Sequence, residues 1–400
     1  MRSIEWDCFS QPIMNGEVNM SKKLLLLIAV GLLLVASITI FACGTTTTTT
    51  TSVAGTTTTA ATTGQSVGVV LPTKSEPRWL QDEARFKTLF AGAGIKVQIL
   101  FSEGDSAVEK TNVESLISQG VKAIIICPQD GAAAAAAAKE ARDAGVKVIS
   151  YDRLILGTDA VDYIVTFDQR SVGTAQGKFL VDHATGKGNP LYIYAGAASD
   201  NNAFLFFDGA WEQLQPKIAD GTFVIKNSDK AVALQSKATL THDDEASIIG
   251  QITTDWKFDV AKNLAEANLT AAKAADKGNV FILAPNDGTA RSIADAFKAD
   301  TDVKSYLVTG QDVEKASVQY IIDGKQSMSV FKDTRALTQE ALTAATAILG
   351  GQAPASNFKI NNGTIDVPGT AIAVIVVTKD NIKAALIDSG YYQATDFTGL

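Results

Sequence analysis

Gly145-Val146-Lys147-Val148-Ile149-Ser150-Tyr151-Asp152-Arg153-Leu154-Ile155 leaves a turn residue, runs through β-branched side chains and ends in an acid and a base side by side. A short apolar run bounded by turn signals reads as a buried strand of a parallel sheet. In open α/β sheets ligands sit outside the carboxyl ends of the strands. Asp152 and Arg153 therefore stand where a ligand would meet the chain.

Upstream, apolar runs at 67–71, 95–101 and 121–127 alternate with helix-length amphipathic segments at 78–93, 108–119 and 132–144, leading into 146–151. This β-α-β-α-β-α-β order predicts a parallel sheet with right-handed crossovers. The alanine tract at 132–138 favours helix and permits close approach to a sheet. Downstream of a run at 163–167 the alternation restarts. Helices are predicted at 171–183, 203–218, 260–275, 288–299, 313–322, 335–349 and 381–388, and strands at 191–194, 223–225, 280–284, 306–309, 327–331 and 371–377. Residues 226–254 are less regular. The fold expected is α/β, with two doubly wound Rossmann-like lobes of ordinary domain size and a ligand cleft between them.

The N-terminal part is different in kind. Met20-Ser21-Lys22-Lys23 gives a basic start to the apolar block 24–42, and Met20 is read as the initiator, which sets 1–19 apart as untranslated. Basic flank, apolar block and small residue before Cys43 match a secretory signal. Ile40-Phe41-Ala42-Cys43-Gly44 further resembles the lipobox of bacterial lipoproteins, with Cys43 lipidated. The alternative is an uncleaved anchor, since the block is long enough to span a bilayer. Either places the rest of the chain outside the cytoplasm. Residues 44–64 are nearly all threonine and small residues, a low-complexity tether without an apolar face.

Composition narrows the function. A formal net charge of -8 argues against a nucleic-acid binder, which needs a basic face. Three cysteines make no disulfide framework, and Cys127, inside an apolar run, reads as a small buried hydrophobe. The two histidines, His183 and His242, have no metal-ligand spacing to a second His or Cys. Gly173-Thr174-Ala175-Gln176-Gly177-Lys178 lacks the spacing of a phosphate-binding loop, and Gly92-Ala93-Gly94 opens a strand rather than a helix. No G-x-S-x-G elbow occurs. No metal and no cofactor is expected.

What remains is polar residues at strand ends: the segment Pro72 to Trp79, Asp152-Arg153, Ser199-Asp200-Asn201-Asn202, Asn286-Asp287, Gln311-Asp312 and Lys332-Asp333. Each alone is explained by helix capping, the reading preferred for Asn201, Asp287 and Asp333 taken singly. Six in one topological place suit a polyhydroxylated ligand. Carboxylates accept from hydroxyls, Arg and Lys donate to them, and Asn does both. Arg78, Arg153 and Lys332 set against Asp152 and Asp312 are nearly balanced, so the group need not select charge. Trp79 and Trp256 have the flat faces that cover the C–H side of a pyranose, although a core aromatic and a half-buried surface aromatic are equally good readings.

Residues 67–400 resemble bacterial periplasmic sugar-binding proteins of ABC transporters, the type with two α/β lobes and three hinge crossings, and within them the xylose-binding and multiple-sugar-binding branch (glucose, galactose, arabinose). Arg78-Trp79, Tyr151-Asp152-Arg153-Leu154-Ile155, Ser199-Asp200-Asn201-Asn202-Ala203, Asn286-Asp287, Gly310-Gln311-Asp312, Phe331-Lys332-Asp333-Thr334 and Gly390-Tyr391-Tyr392 carry the resemblance. It implies that Arg78, Asp152 and Arg153 bind sugar hydroxyls from the first lobe, with Arg153 donating and keeping its neighbour Asp152 ionised, and Asn202, Asn286 and Asp312 from the second. It also places Lys332 at a crossing and makes Trp79 and Trp256 a stacking pair. The first lobe is expected at 65–166 and 333–361, the second at 167–332 and 362–400, with crossings near Phe167-Asp168-Gln169, near Lys332 and in Asn361-Asn362-Gly363. The partners implied are a monosaccharide and an ABC permease, or a chemoreceptor or sensor kinase, with the protein a monomer held to the membrane by lipid. Two rivals weigh less. A glycosidase using Asp152 and Asp312 needs a general acid of raised pKa, which neighbouring Arg and Lys oppose. A transcriptional regulator needs a DNA-binding element where the secretion signal stands.

Overall fold

The computed structural model describes residues 65–400, so the signal segment, Cys43 and the threonine tether lie outside the described residues. From Ser66 the chain alternates strand and helix: β1 (Ser66–Leu71), α1 (Pro77–Gly92), β2 (Lys96–Phe101), α2 (Ser106–Ser118), β3 (Ala123–Ile126), α3 (Ala134–Asp143), β4 (Lys147–Tyr151) and β5 (Tyr163–Phe167). Helix α4 (Gln169–His183), β6 (Asn189–Ile193), α5 (Asn201–Ala219), β7 (Phe223–Ile225), α6 (Asp229–Leu234), α7 (His242–Ile252), α8 (Phe258–Ala271), β8 (Gly278–Leu283), α9 (Asp287–Ala299) and β9 (Val303–Val308) follow. Then come α10 (Lys315–Ile322), β10 (Ser329–Phe331), α11 (Thr334–Leu349), β11 (Phe358–Asn361), β12 (Asp366–Ile372) and β13 (Ile375–Val377).

These strands make a seven-stranded sheet in the order β11-β12-β5-β4-β3-β1-β2, a four-stranded sheet β7-β6-β8-β9, and a two-stranded antiparallel pair β10-β13. All pairings in the two large sheets are parallel except β11 with β12. Helices cover both faces, which is why β3 is buried at every residue and its sequence is a continuous apolar run. Helix α3 shows how composition meets packing. Its buried Ala134, Ala137, Ala138 and Ala141 form one stripe at helical spacing against the sheet, with the charged residues opposite.

The chain passes between the two large sheets at three places. Asp168, between β5 and α4, caps the helix by accepting from the Ser171 amide. Lys332 and Asp333 join β10 to α11, with Asp333 capping by accepting from the Arg335 amide. The third passage corrects the sequence reading. Asn361-Asn362-Gly363 is the turn of the β11-β12 hairpin, where Asn362 Nδ2 donates to the Ile155 and Thr158 carbonyls at 3.1 and 2.7 Å and Gly363 takes φ 91°. Strand β12 then runs back along β5, so 362–372 belong with the first sheet and the chain leaves it at Ala373-Val374. The run 371–377, read as one strand, is split between two sheets, because apolar periodicity does not register which partner a strand pairs with. Residues 226–254, irregular by pattern, hold α6 and α7, the second fixed by a Thr241–Asp244 capping box.

Candidate functional site

Arg78, Trp79, Asp152, Arg153, Asn202, Trp256, Asn286, Asp312 and Lys332 all line one cavity, whose space is about 290 Å³ with open solvent counted. Glu76, Asp200, Phe206 and Gln311 complete its wall. Cys127 is buried nearby, and burial pushes its thiol well above its ordinary value, as suits an inert core residue.

Arg78 is the hub. Pro77 opens α1, a position where its missing N–H costs nothing, and places Arg78 in the first turn. Its Nε donates to Asp82 Oδ2 at 2.9 Å, one turn along the helix, and its Nη2 to Asp152 Oδ2 at 2.9 Å. Nη1 reaches Asp312 Oδ1 at 3.4 Å. Lys332 Nζ closes the figure, 3.0 Å from Asp312 Oδ1 and 3.9 Å from Asp152 Oδ2. Two cations and two carboxylates thus alternate round a ring, and all four are nearly or fully buried, the least so being Asp312 at 7% exposure. A ring of alternating charge offers hydroxyl donors and acceptors at close range without net attraction for an ion.

Arg153 belongs to a second group. Its Nε lies 3.0 Å from Asp200 Oδ2 and its Nη2 3.5 Å from Glu76 Oε1. This corrects the expectation that Arg153 is the partner of Asp152. Asp152 has φ 60°, and the turn sends the two adjacent side chains to different partners. Burial would raise the Asp152 carboxyl, but Lys332 and Arg78 beside it bring it down to about 2, with Arg153 contributing least among the named cations. Burial wins at the second group: Glu76 and Asp200 are both raised, even with Arg153 between them. It wins at Asp82 also, lifted to about 6 against the pull of Arg78.

Three of the lining residues, Asp152, Trp256 and Asp312, have φ of 60°, 60° and 92°, as do their neighbours Asp255 and Val313 at 51° and 46°. Left-handed backbone is a real outlier for Trp or Val and costs about 1–3 kcal/mol each, which the surrounding structure must supply. Around Trp256, Thr254 Oγ1 donates to the Ala195 carbonyl at 2.9 Å, and the indole packs against Gly196, where an added Cβ would meet ring carbons at 2.0 Å. Phe206 meets the same indole edge-on at 6.2 Å. Trp79 lies in the first lobe's wall, with the Arg78 and Arg153 guanidiniums 4.7 and 5.1 Å from its ring centroid.

Asn202 opens α5 behind Asp200, which caps that helix. Its Nδ2 donates to both the main-chain carbonyl and the carboxylate of Asp152, each at 3.2 Å. Asn286 caps α9 through its Oδ1, which accepts from the Thr289 amide and hydroxyl and leaves the Nδ2 donor over. Asn286 therefore caps and lines the cavity together. Asp287, read as a cap, is instead a buried acceptor for Gln326, Ser329 and the Glu314 amide. Trp256 Nε1 and Gln311 Oε1 are buried without a hydrogen-bond partner, an arrangement that favours a polar ligand able to satisfy them.

The site joins residues from both sheets directly: Arg78 with Asp312, Arg153 with Asp200, Asn202 with Asp152, and the Gly131 amide with the Ser199 carbonyl at 3.0 Å. The cleft is closed. Of the residues the sequence reading did not select, Glu76, Asp200 and Gln311 lay inside the quoted strand-end motifs. Phe206 had a positional signal, one helical turn after Asn202 on α5.

A family model described as a periplasmic binding protein domain matches residues 67–353. The multiple sugar-binding periplasmic protein of Azospirillum brasilense is 33% identical over 83% of this chain and 91% of its own length. The D-xylose-binding periplasmic protein of Escherichia coli is 29% identical over 82% and 92%. Among solved structures, a carbohydrate transporter solute binding protein from Chloroflexus aurantiacus in complex with D-glucose is 69% identical, with a TM-score of 0.83 over 84% of this chain and 99% of that one.

Proposed function

The chain belongs to the periplasmic binding protein family, and from there we propose that it captures a monosaccharide of the xylose, glucose, galactose or arabinose class and delivers it to an ABC permease. The observation that carries the reading is the buried ring of Arg78, Asp152, Lys332 and Asp312, uncharged overall and lined on two sides by indoles. That is chemistry for a neutral polyol with apolar ring faces. The named relatives support it: one is called a multiple sugar-binding protein, another a D-xylose-binding protein, and a solved neighbour holds D-glucose.

Mechanism follows from where the residues sit. Arg78, Trp79, Asp152 and Arg153 rise from the seven-stranded sheet; Asn202, Trp256, Asn286 and Asp312 from the four-stranded one. Neither half encloses a ligand, so a sugar binds the closed arrangement better than the open one and shifts a hinge equilibrium toward it. Lys332 lies on one of the three passages and couples the hinge to both carboxylates of the ring. Asp152, held ionised down to about pH 2 by its cations, accepts from hydroxyls and is unsuited to act as the general acid of a glycosidase. We extend the proposal to location: an extracytoplasmic monomer with lipid on Cys43 and residues 44–64 as its tether.

Titrating D-xylose, D-glucose, D-galactose and L-arabinose while following tryptophan emission and melting temperature tests the reading. At least one should quench or shift emission and raise Tm. Silence from all four in both measurements would refute it.

A further inference from the structure

A second cavity, about 860 Å³ with open solvent counted, adjoins the first and shares two wall residues with it, Glu76 and Trp256. Its remaining walls come from the loops after β1, β2 and β3 on one side, through Thr73, Glu103 and Gln129, and from the loop before α8 and the start of that helix on the other, through Asp255 and Phe258. In the seven-stranded sheet β1, β2 and β3 lie at the end away from β5 and β12, where the chain passes to the other sheet. The second cavity is therefore the mouth of the cleft, and it persists while residues from both sheets bond directly across the inner site.

We propose that this mouth is a second subsite, so that the protein also binds neutral disaccharides or O-glycosides by one terminal unit, with the inner cavity taking that unit and the mouth the next. The proposal rests on the sugar reading of the inner cavity. Trp256 lines both compartments, held by the left-handed backbone at Asp255 and Trp256. Phe258 adds a second aromatic surface in the mouth, and Thr73, Ser75 and Gln129 add hydroxyl and amide groups. That is again the pairing of flat apolar walls and neutral hydrogen-bonding groups that suits a sugar ring. The charges select among glycosides. Glu76 is paired with Arg153 at 3.5 Å and Glu103 with Lys74 at 3.6 Å, which leaves Asp255 and Asp259 against Lys257 and the mouth acidic by one charge. A neutral or amino-sugar unit is admitted, and a uronic acid is repelled.

Calorimetric titration of the full chain with D-glucose, cellobiose, maltose and an aldobiouronic acid tests this, alongside Gln129→Trp to fill the mouth and Phe258→Ala to strip its wall. Cellobiose or maltose should bind within about tenfold of glucose, and the aldobiouronic acid at least tenfold more weakly than they do. Gln129→Trp should weaken the disaccharide at least tenfold while leaving the glucose Kd within twofold; Phe258→Ala should weaken the disaccharide selectively. Glucose binding with no disaccharide binding, or disaccharide binding indifferent to both variants, overturns the subsite and leaves the inner site standing. No binding of glucose or of any other monosaccharide overturns both.

Discussion

Asp152→Asn isolates the charge at the centre of the ring. Asn tolerates left-handed backbone as well as Asp does, so the φ of 60° survives the exchange, and the amide has the shape of the carboxylate. What changes is that Arg78 Nη2 at 2.9 Å and Lys332 Nζ at 3.9 Å lose their anion. The folded carboxyl sits at about 2 and its ordinary value is 3.8. At about 1.4 kcal/mol per pKa unit this is about 2 kcal/mol of stability. The sign follows from protons bound. Between these two values the unfolded chain holds the proton and the folded chain does not, so the contribution is complete above about pH 4 and gone once pH falls below about 2. Denaturant unfolding of both proteins from pH 7 to pH 2 should show the variant about 2 kcal/mol less stable at pH 7, with the gap closing below pH 4. A gap that is the same at every pH, or a variant more stable at neutral pH, would refute the assignment of Lys332 and Arg78 as the cause. Sugar binding should also weaken, since charge-assisted hydrogen bonds contribute about 1.5–3 kcal/mol each, or about 10- to 100-fold in Kd.

Four further outcomes follow from the packing and the sequence. Gly196→Ala puts a methyl 2.0 Å from the Trp256 ring carbons; overpacking of about 1–3 kcal/mol should displace the indole, lowering sugar affinity at least tenfold while circular dichroism stays native. Gly173→Ala places Cβ 1.8 Å from the Phe206 carbonyl, so α4 and α5 must separate, and the urea midpoint should fall more than for Gly196→Ala. Glu109, buried and accepting from the Gln129 amide at 2.7 Å, is lifted by burial to about 7 from 4.5. The folded chain then holds a proton that the unfolded chain has lost, so Glu109 contributes a fall in stability of about 3 kcal/mol as pH rises from 4.5 to 7. Asp82, Glu245 and Glu314, also raised, add to the slope, so Glu109→Gln should lower it by that share, and an unchanged slope would exclude Glu109 as a source. Cys43→Ser should release the protein from the membrane fraction, and a wild-type mature N-terminus without lipid in the mass spectrum would end the anchor proposal.

Much of the site was legible because parallel α/β topology brings strand ends together whatever the strand order. A polar residue at or shortly after the end of an apolar run is thereby placed near other such residues, which is how Asp152, Asn286, Asp312 and the segment Pro72 to Trp79 that carries Arg78 could be grouped without a structure. Balanced charge, two tryptophans and the want of histidine or cysteine clusters set the ligand class for the same reason: they are properties of residue type. Element order was legible too, since buried runs and amphipathic helices differ in period. The hairpin of β11 and β12 was not, because short edge strands of mixed polarity such as Phe358–Asn361 carry little periodicity.

Asp152 and Arg153 mark where sequence stopped determining this protein. Adjacency in the chain suggested that they pair with each other. The folded backbone turns at Asp152 and gives it Arg78 and Lys332, 74 and 180 residues away, while Arg153 takes Asp200 and Glu76. Which ion meets which depends on side-chain direction at a left-handed residue and on which loops face one another across the cleft. Whether a carboxyl is lowered, as Asp152 is, or raised, as Glu76 and Asp200 are, depends on how burial compares with its neighbours' charge. The chain order supplied the groups and the ends of the strands they occupy; only the three-dimensional packing decided their partners, their protonation and the second compartment at the mouth.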